Sequence, residues 1–567
     1  MSSLHPPEHA QILVIGGGPS GSYAASALAR EGFDVVLLEA SAFPRYHIGE
    51  SLIPSVRYQL RFIDAEEKVA AHGFARKPGA AMKFNQFKKE GYTDFVALGH
   101  DNNAWNVVRS EFDALLLDHA SVCGAKVFHP YKATSIAFSS TSSASSPLGR
   151  PTSVTWLHTS CASTNQCTGI MSFDYLIDAS GRAGIMSTRY LKNRRFNANL
   201  KNIAMWGYWT GVGTYAQETA AEGAPWFEAL TGMFCFADES GWAWFIPLHD
   251  GTTSIGVVMD QKLFRKSSRP EPLNSPSIAV LPLLPSLYLS FLELAPGVKK
   301  LIGAGTLLQG KNLDDSSDGT IKTASDYSYS ASSYAGEGWR IVGDAGAFID
   351  PFFSSGVHLA MTSGLAAAAS IAASIRGDCN EREAADWHSQ RVTVSYTRFL
   401  VVVLGAYKQM RSQSTDVLSD VGEDNFDKAF SFLRPVIQGN ADMGPRLSES
   451  EVQRALDFCT NLFNPTTPNQ HEAVRKRIEK ALLDVTAPIV NPSALDEIAP
   501  FMLGADDAEV ETKRVLAKIN ARRVIHQDHS GLHSLEEEAL GEGGWTVRLE
   551  RGKLGLVKAP TASDGHC

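Results

Sequence analysis

The first clear pattern in the chain is a continuous apolar run from Ile12 to Ile15. A strand buried on both faces, as in a parallel sheet, has such a run instead of an alternation of apolar and polar residues. The pattern next predicts a helix over Tyr23–Arg30, ended by Gly32, and a second apolar strand over Val35–Leu38. The order strand, helix, strand predicts an α/β domain with a parallel sheet at the start of the chain.

The turn between the first strand and the helix has the spacing G-x-G-x-x-G, from Gly16 to Gly21. Glycine permits a tight turn and close approach to a pyrophosphate, to which the helix N-terminus offers free N–H groups and a partial positive charge. Glu39 ends the second strand, 18 residues past Gly21, where a carboxylate accepts hydrogen bonds from both ribose hydroxyls. The order strand, glycine turn, helix, strand and acidic residue predicts a Rossmann-like dinucleotide site. Its predicted residues are Gly16, Gly17, Gly18, Ser20, Gly21 and Glu39.

Later segments predict a second sheet. Residues Phe196 to Met259 are rich in aromatic residues and glycine and include the alternating strand Thr253–Met259. Alternation is typical of a strand with one buried face, so we expect an antiparallel sheet that roofs a substrate site. From Glu381 to about Arg523 the pattern is mostly helical.

Composition excludes several classes of protein. The 567 residues are 44% hydrophobic and 20% charged, which is ordinary for a globular chain with a large core. The net charge of −9 argues against nucleic-acid binding. The seven cysteines lack C-x-x-C spacing, so neither a disulfide framework nor a metal site is indicated. The apolar stretch Val357–Ile375 is predicted to be a buried helix and not a membrane span. With a polar N-terminus directly before the first strand, we expect no signal peptide and a cytoplasmic protein.

Three separated segments are expected to meet at one ligand. They are the glycine turn, Asp178–Arg182, and Gly343-Asp344 with the helix that follows. An acidic residue that closes a buried strand can hold a ribityl or ribose hydroxyl. The helix that begins near Gly356 aims its N-terminal dipole at an electron-rich ring or an anion.

On these motifs the chain resembles the single-component flavoprotein monooxygenase superfamily and, within it, the flavin-dependent halogenases, from Gln11 to about Ile375. The resemblance implies FAD as cofactor, used as FADH2, with chloride and O2 as co-substrates. It implies that Arg109 contacts the FAD pyrophosphate. The charged loop Phe43–Pro54 beside the cofactor strand suggests a further ligand contact. The predicted FAD-binding set is completed by Glu50, Arg109, Asp344 and Val357.

The sequence Trp242-x-Trp244-x-Ile246-Pro247 is similar to the halogenase signature W-x-W-x-I-P. Two indoles on one face of a strand would form a wall between substrate and flavin, which favours attack by halide over direct oxygen transfer. The alternative is an ordinary pair of core tryptophans.

A second signature, Phe348-x-x-Pro351-x-x-Ser354-x-Gly356, is similar to the family's halide-site loop. Backbone N–H groups of Ser355 and Gly356 at a helix start suit a weakly hydrated anion, so these two residues are the predicted chloride site. The alternative is a flavin-binding turn of the kind that hydroxylases share.

The third signature, Gly73-Phe74-x-x-Lys77-x-Gly79, matches the family's G-F-x-x-K-x-G. A desolvated lysine amine can capture hypohalous acid, either as a chloramine or as a hydrogen-bonded electrophile. Lys77 is therefore the predicted catalytic residue and Lys83 the second choice. A solvated surface lysine is the alternative.

One departure bears on the substrate. Tryptophan halogenases carry a glutamate in E-P-L-E-S, and the matching position here is Phe353 in D-P-F-F-S-S-G. The missing carboxylate puts an indole substrate in doubt, whereas a phenolate activates its own ring. The chain resembles the phenol- and pyrrole-type branch, which includes fungal halogenases of aromatic polyketides. Free and carrier-bound substrates both stay open.

The resemblance implies an FADH2-dependent enzyme that chlorinates a phenolic aromatic polyketide by electrophilic substitution, through a flavin C4a-hydroperoxide and hypochlorous acid. An aromatic hydroxylase and an FAD-dependent reductase of the same fold are the alternatives. Because the sequence has no second G-x-G-x-x-G unit, the implied partner is a separate NAD(P)H-dependent flavin reductase. We expect no nucleic-acid or membrane partner.

These patterns predict an α/β fold with an inserted antiparallel sheet and a mostly helical C-terminal region. The strand Trp339–Val342 returns the chain to the first domain. The predicted divisions are 1–195 for the first part of the FAD-binding domain, 196–335 for the substrate sheet and insertion, 336–378 for the return segment, and 379–567 for the helical region.

Overall fold

The computed structural model of the protein describes residues 5–83, 90–96, 102–139, 148–160, 167–197, 200–231, 241–267, 284–309, 320–325, 328–411, 468–484, 487, 490, 507–525, 539–540 and 543–559. The strands in chain order are β1 (His9–Ile15), β2 (Val35–Leu38), β3 (Ala75–Lys77), β4 (Gly79–Lys83), β5 (Gly91–Asp94), β6 (Ala104–Asn106), β7 (Lys126–Phe128), β8 (Tyr131–Phe138), β9 (Pro151–His158), β10 (Thr168–Asp178), β11 (Arg194–Phe196), β12 (Asn202–Thr210), β13 (Trp226–Ala229), β14 (Gly241–Pro247), β15 (Thr253–Asp260), β16 (Thr306–Leu307), β17 (Lys322–Ser325), β18 (Tyr329–Ala331), β19 (Ala335–Gly336), β20 (Trp339–Ile341), β21 (Trp545–Arg548) and β22 (Gly555–Lys558).

The described residues also form helices. In chain order they are α1 (Pro19–Arg30), α2 (Ser55–Phe62), α3 (Glu66–Ala71), α4 (Arg109–Val122), α5 (Gln261–Ser267), α6 (Leu284–Leu292), α7 (Pro296–Ile302), α8 (Gly356–Arg376), α9 (Glu381–Arg411), α10 (Pro468–Arg477) and α11 (Asp507–Ile525). Short helical turns lie at Gly181–Ala183, Ile185–Tyr190, Gly343–Ala345, Pro351–Phe353 and Lys480–Leu483.

The first sheet has the strand order β19-β20-β10-β1-β2-β7, with β9 and β8 added beyond β10. Its pairs β20/β10, β10/β1, β1/β2 and β2/β7 are parallel. The residues Ile12, Leu13 and Val14 of β1 are fully buried, as a strand covered on both faces requires. The prediction of an α/β fold is confirmed.

The helix after β1 begins earlier than the sequence predicted. It begins at Pro19 instead of Tyr23, and Gly18 stands at its N-cap. Proline at the first helical position has a backbone angle already suited to a helix and lacks an N–H that would stay unpaired there. Gly21 therefore lies inside the first turn of α1 and not in the loop before it.

The second sheet has the strand order β16-β12-β15-β14-β13-β4-β5, with β17 also paired to β12. Its pairs are antiparallel except β13/β4, in which Trp226 lies beside Ala81. Two of its strands thus come from residues before 195, which the predicted division assigned to the FAD-binding domain. The pairing of β4 with β13 is a tertiary contact between distant segments, which local pattern does not reveal. The division of the chain into domains stays a prediction.

Helix α8 is the one described helix that is long and apolar enough to cross a membrane, but 89% of its most apolar window is buried within the protein. It packs against α1 on one side and α9 on the other. Ala366, Ala367, Ala368 and Ala369 are 2% exposed or less, and their small side chains allow this close packing.

Helix α9 is attached to the first sheet through an ion pair between a buried arginine and a partly buried glutamate. Arg340 on β20 is fully buried and donates to both carboxylate oxygens of Glu381, at 2.9 and 3.3 Å, and to the Ser370 hydroxyl at 2.9 Å. Although burial alone would raise the pKa of Glu381, the Arg340 guanidinium holds it below its usual value. The first residue of α9 is therefore held at the edge of the sheet.

We expect Glu381→Ala to lower the free energy of unfolding by about 3–5 kcal/mol, because it leaves the buried Arg340 charge without its carboxylate. Urea denaturation followed by circular dichroism measures the loss. The matched control is Glu293→Ala, which removes the exposed carboxylate partner of Lys299 and should change stability by about 1 kcal/mol or less. Equal losses in the two variants would contradict the anchoring role of the Arg340–Glu381 pair.

Candidate active site

The glycine turn and Glu39 form one hydrogen-bonded unit. Glu39 is 7% exposed, and its Oε2 accepts from the Gly17 N–H at 2.7 Å while Oε1 accepts from the Ser41 N–H at 2.8 Å. Each carboxylate oxygen has a second lone pair. The carboxylate is therefore held at the end of β2 and still has the capacity to accept from ribose hydroxyls.

The three segments expected to meet do so through close contacts at glycine residues. A Cβ atom built on Gly16 would lie 2.2 Å from the Ala179 carbonyl oxygen, and one on Gly21 would lie 1.9 Å from the Gly16 oxygen. A Cβ on Gly343 would lie 2.7 Å from the Ser20 hydroxyl. At these positions only glycine fits, and the fit joins the turn to the ends of β10 and β20.

Gly18 differs from Gly16 and Gly21 because a Cβ atom built on it would have open space around it. The nearest atom to a Cβ built there is Nη2 of Arg45, at 3.4 Å. The guanidinium of Arg45 also donates to Asp113 at 3.2 Å and lies 4.7 Å from the centre of the Phe43 ring. The open space at Gly18, with the Arg45 guanidinium beside it, fits a pyrophosphate.

Arg45 was not among the predicted site residues. The charged loop around it suggested a ligand contact, but nothing in the local sequence distinguishes Arg45 from the other charged residues of that loop. The close approach to Gly18 depends on how the loop folds back over α1.

Arg109, predicted to contact the pyrophosphate, is buried at the start of α4. Its Nε and Nη2 donate to the two Asp113 oxygens at 2.9 and 3.1 Å, and its Nη1 donates to the Ile48 carbonyl at 2.8 Å. Asp113 thus holds both Arg109 and Arg45. A direct contact between Arg109 and the cofactor stays a prediction.

Burial raises the pKa of two carboxyl groups predicted to bind FAD, those of Glu50 and Asp344. Burial raises the pKa of Glu50 to about 7, against hydrogen bonds from the Tyr208 and Ser254 hydroxyls of the second sheet. Burial raises the pKa of Asp344 to about 6. Both groups lie near the positive charge of Arg109, which opposes the shift in each.

The predicted chloride residues lie at the N-terminus of α8. Ser354 has a left-handed backbone angle, φ 56°, and turns the chain into the helix. The Ser355 hydroxyl is fully buried with no partner among the described residues, and a Cβ built on Gly356 would meet nothing within 4 Å. Val357, predicted to contact FAD, follows in the first turn and is 6% exposed. Free helical N–H groups, an unpaired hydroxyl and open space fit an anion.

Lys77 ends β3 and is only 1% exposed. Its ammonium donates to the Ser51 hydroxyl at 2.8 Å and to the Leu52 carbonyl at 2.7 Å, and it lies 5.2 Å from the centre of the Phe95 ring. No carboxylate is paired with it among the described residues. Burial lowers the pKa of Lys77 to about 7, so the amine is largely neutral above neutral pH.

Lys83 lies in a different environment. It is partly exposed at the end of β4, and its backbone pairs with Glu228 of the second sheet. Lys77 instead belongs to the small β3/β6 pair. Of the two lysines, only Lys77 is desolvated.

The tryptophans of β14 lie on one face of the strand. Their ring centres are 5.6 Å apart, and Trp242 is 1% and Trp244 5% exposed. The rings of Trp242 and Phe352 pack edge to face with their centres 5.0 Å apart. The rings of Phe352 and Phe353 do the same at 4.9 Å. The two signatures thus meet as one aromatic wall against the loop before α8.

Comparisons with known proteins agree with this geometry. Residues 11–113 match the family model described as Tryptophan halogenase. The chain is 51% identical to the flavin-dependent halogenase armH1 of Armillaria mellea over 97% of this chain and 99% of that protein. It is 44% identical to the sulochrin halogenase gedL of Aspergillus terreus over 98% of this chain and 94% of that protein.

Solved structures of similar fold include CmlS, a flavin-dependent halogenase, with a TM-score of 0.60, 25% identity and coverage of 82% of this chain and 74% of that one. The chondrochloren halogenase CndH superposes with a TM-score of 0.59 at 24% identity, over 80% of this chain and 97% of that one. With relatives of such identity along nearly its whole length, the chain belongs to the flavin-dependent halogenases, enzymes that use FAD.

Proposed function

We propose that this halogenase chlorinates a phenolic aromatic polyketide, with Lys77 as its catalytic residue. The observation that carries the proposal is the amine of Lys77, which is buried, lacks a carboxylate partner among the described residues and has a pKa of about 7. The relative gedL, 44% identical, is named for a phenolic substrate, sulochrin. A substrate of that class is the one proposed for this chain.

The adenosine half of FAD would be held by the glycine turn and Glu39. The open face of Gly18 leaves room for the pyrophosphate, which Arg45 would neutralise from above. Asp344 would face the ribityl chain, and Arg109 would orient the loop at Ile48 and contribute positive charge. Glu50, a buried carboxyl group near Arg109 and hydrogen-bonded to the second sheet, is proposed to face the cofactor from that side.

Chloride would lie at the N-terminus of α8. The N–H groups of Ser355 and Gly356 and the partial charge of a 21-residue helix attract an anion there. When bound, reduced FAD supplies the chemistry that oxidises chloride with O2 to hypochlorous acid. Trp242 and Trp244 would separate this place from the aromatic substrate.

Lys77 would handle the oxidant in the second half of the reaction. Its neutral amine can displace hydroxide from chlorine, which gives a chloramine and water, or it can hold hypochlorous acid by a hydrogen bond. The aromatic ring then attacks chlorine and loses a proton, and the amine is regenerated. Ser51 and the Leu52 carbonyl hold the amine in position, and its buried surroundings exclude competing water.

Phe353 supports a phenol over an indole as the substrate. An apolar side chain stands where tryptophan halogenases carry a glutamate, and it packs at the end of the aromatic wall. A phenolate needs less help because its own oxygen donates electron density into the ring. Free and carrier-bound phenols both fit this argument.

The oxidation requires reduced FAD, so we further propose a separate NAD(P)H-dependent flavin reductase as partner. The chain has one G-x-G-x-x-G unit, which the FAD site uses. A cytoplasmic location likewise stays a proposal.

We expect chlorinated sulochrin when the chain is incubated with sulochrin, FAD, NADH, a flavin reductase and radiolabelled chloride. Mass spectrometry and incorporated label report the product, and omission of chloride is the control. Hydroxylated product without label would support the aromatic hydroxylase instead. If sulochrin is untouched, a panel of other phenols in the same assay separates a wrong substrate from a wrong substrate class.

We expect Gly18→Val to fold but to lose bound FAD, because its side chain would fill the space proposed for the pyrophosphate while meeting only the end of the flexible Arg45 side chain. Flavin absorbance per mole of protein measures the loss. The contrasting variant Gly21→Ala should fail to fold normally, since its Cβ would lie 1.9 Å from a backbone oxygen. A folded Gly18→Val protein with a full complement of FAD would show that the site is misplaced.

We expect Lys77→Ala and the bulkier Lys77→Met to keep FAD binding and O2 consumption while chlorinated product falls at least about a hundredfold, the scale expected for loss of a positioned catalytic group. The oxidising equivalents should then be recovered as hydrogen peroxide or free hypochlorite. Lys83→Ala is the matched control and should chlorinate normally. If Lys83→Ala loses chlorination while the Lys77 variants keep it, the catalytic role belongs to Lys83. Normal amounts of chlorinated product from the variants of both lysines would contradict the lysine mechanism.

A further inference from the structure

A buried carboxylate, Asp350, lies at the start of the loop that leads to the proposed chloride site. It is fully buried and has no cationic partner among the described residues. Burial raises the pKa of Asp350 to about 6, so it is mostly ionised at neutral pH. A buried charge of this kind has to be stabilised by hydrogen bonds.

Its hydrogen bonds come from its own loop and from two distant segments of the chain. Oδ2 accepts from the Tyr407 hydroxyl of α9 at 2.8 Å and from the Asn202 amide of β12 at 3.1 Å. Oδ1 accepts from the N–H of Phe352, two residues along the loop, at 3.2 Å. Hydrogen bonds from Tyr407, Asn202, Phe352 and Trp242 all lower the pKa of Asp350, against the larger effect of burial.

The Tyr407 hydroxyl extends this network to the tryptophan wall. Besides donating to Asp350, it accepts from the indole N–H of Trp242 at 2.8 Å and from the Asn202 amide at 2.8 Å. One hydroxyl proton and two lone pairs are all that a tyrosine hydroxyl offers. These three hydrogen bonds use the one proton and both lone pairs, so the hydroxyl links Asp350, Asn202 and Trp242 at one point.

The network joins the two halogenase signatures. Asp350 and Phe352 belong to the halide-site loop, and Trp242 belongs to the W-x-W-x-I-P strand. The rings of Trp242 and Phe352 also meet edge to face at 5.0 Å. Tyr407 lies beyond the segment that the family motifs cover, on a helix to which no motif gives a role.

We propose that Tyr407 is a positioning residue that holds Trp242 and the loop Asp350–Gly356 in the one arrangement that binds chloride at the start of α8. The role of the loop rests on the proposed function. Without the hydroxyl, the buried Trp242 N–H loses its Tyr407 acceptor and the buried Asp350 carboxylate loses its Tyr407 donor. Unpaired buried groups of this kind are costly, so the strand and the loop would shift to find new partners.

The test is Tyr407→Phe, which removes one oxygen and keeps the ring. Amide hydrogen exchange followed by mass spectrometry should show faster exchange in peptides covering 241–247 and 348–358. In the FAD-loaded enzyme, the chloride dissociation constant, measured from the width of the chloride NMR signal, should rise about tenfold or more. FAD content should stay unchanged.

The matched control is Tyr288→Phe. The Tyr288 hydroxyl is equally buried, accepts from the indole N–H of Trp209 at 3.0 Å and donates to the Ile255 carbonyl at 2.8 Å, but it lies on the opposite side of the second sheet. It should leave exchange in the loop and chloride affinity unchanged. If Tyr407→Phe does not fold, Asn202→Ala removes two bonds of the same network and should give the same changes.

Three results separate the possibilities. Faster loop exchange with weaker chloride binding in Tyr407→Phe alone supports the positioning role. Unchanged loop exchange, or the same change in both tyrosine variants, overturns it. If the wild-type enzyme binds chloride but chlorinates no phenol, the proposed substrate class fails while these measurements still decide the role of Tyr407.

Discussion

The backbone contact between Gly16 and Ala179 is the constraint on which the rest of the site depends. It brings the end of β1 within van der Waals distance of the end of β10, and Gly343 brings the end of β20 against Ser20 of α1 in the same way. Parallel strands present their carboxyl ends at one edge of a sheet. Because glycine has no side chain at Gly16 and Gly343, the three strand ends lie close together, with α8 packed against the helical turn that begins at Gly343.

Burial of polar groups governs the chemistry of the rest of the site. The amine of Lys77, the carboxyl group of Glu50 and that of Asp350 are each buried, and burial moves the pKa of each toward neutrality. Each is nevertheless held by defined donors or acceptors. A site of this kind can deliver a neutral amine to an electrophile, whereas a solvated lysine would be protonated at the same pH.

Local sequence predicted the motifs well where the chemistry itself demands a residue type. The glycine turn follows β1, Glu39 follows β2, and the paired tryptophans share one face of β14, because turn geometry and strand alternation are local properties. The catalytic role of Lys77 stays a prediction. The start of α1 was wrong because proline and glycine before Tyr23 were taken as loop. The pairing of β4 and β5 with the second sheet was missed because pairing between distant strands leaves no trace in either segment.

By itself, the sequence determined the βαβ unit, the places of the cofactor and halide motifs, and the family to which the chain belongs, because hydrophobic period and glycine spacing act over a few residues. Only the tertiary structure decided that Lys77 is desolvated and Lys83 is not, that Arg45 reaches over Gly18, and that Tyr407 meets Asp350 and Trp242. Burial and hydrogen bonding between segments up to hundreds of residues apart depend on how the sheets and helices pack, and no local pattern encodes that packing.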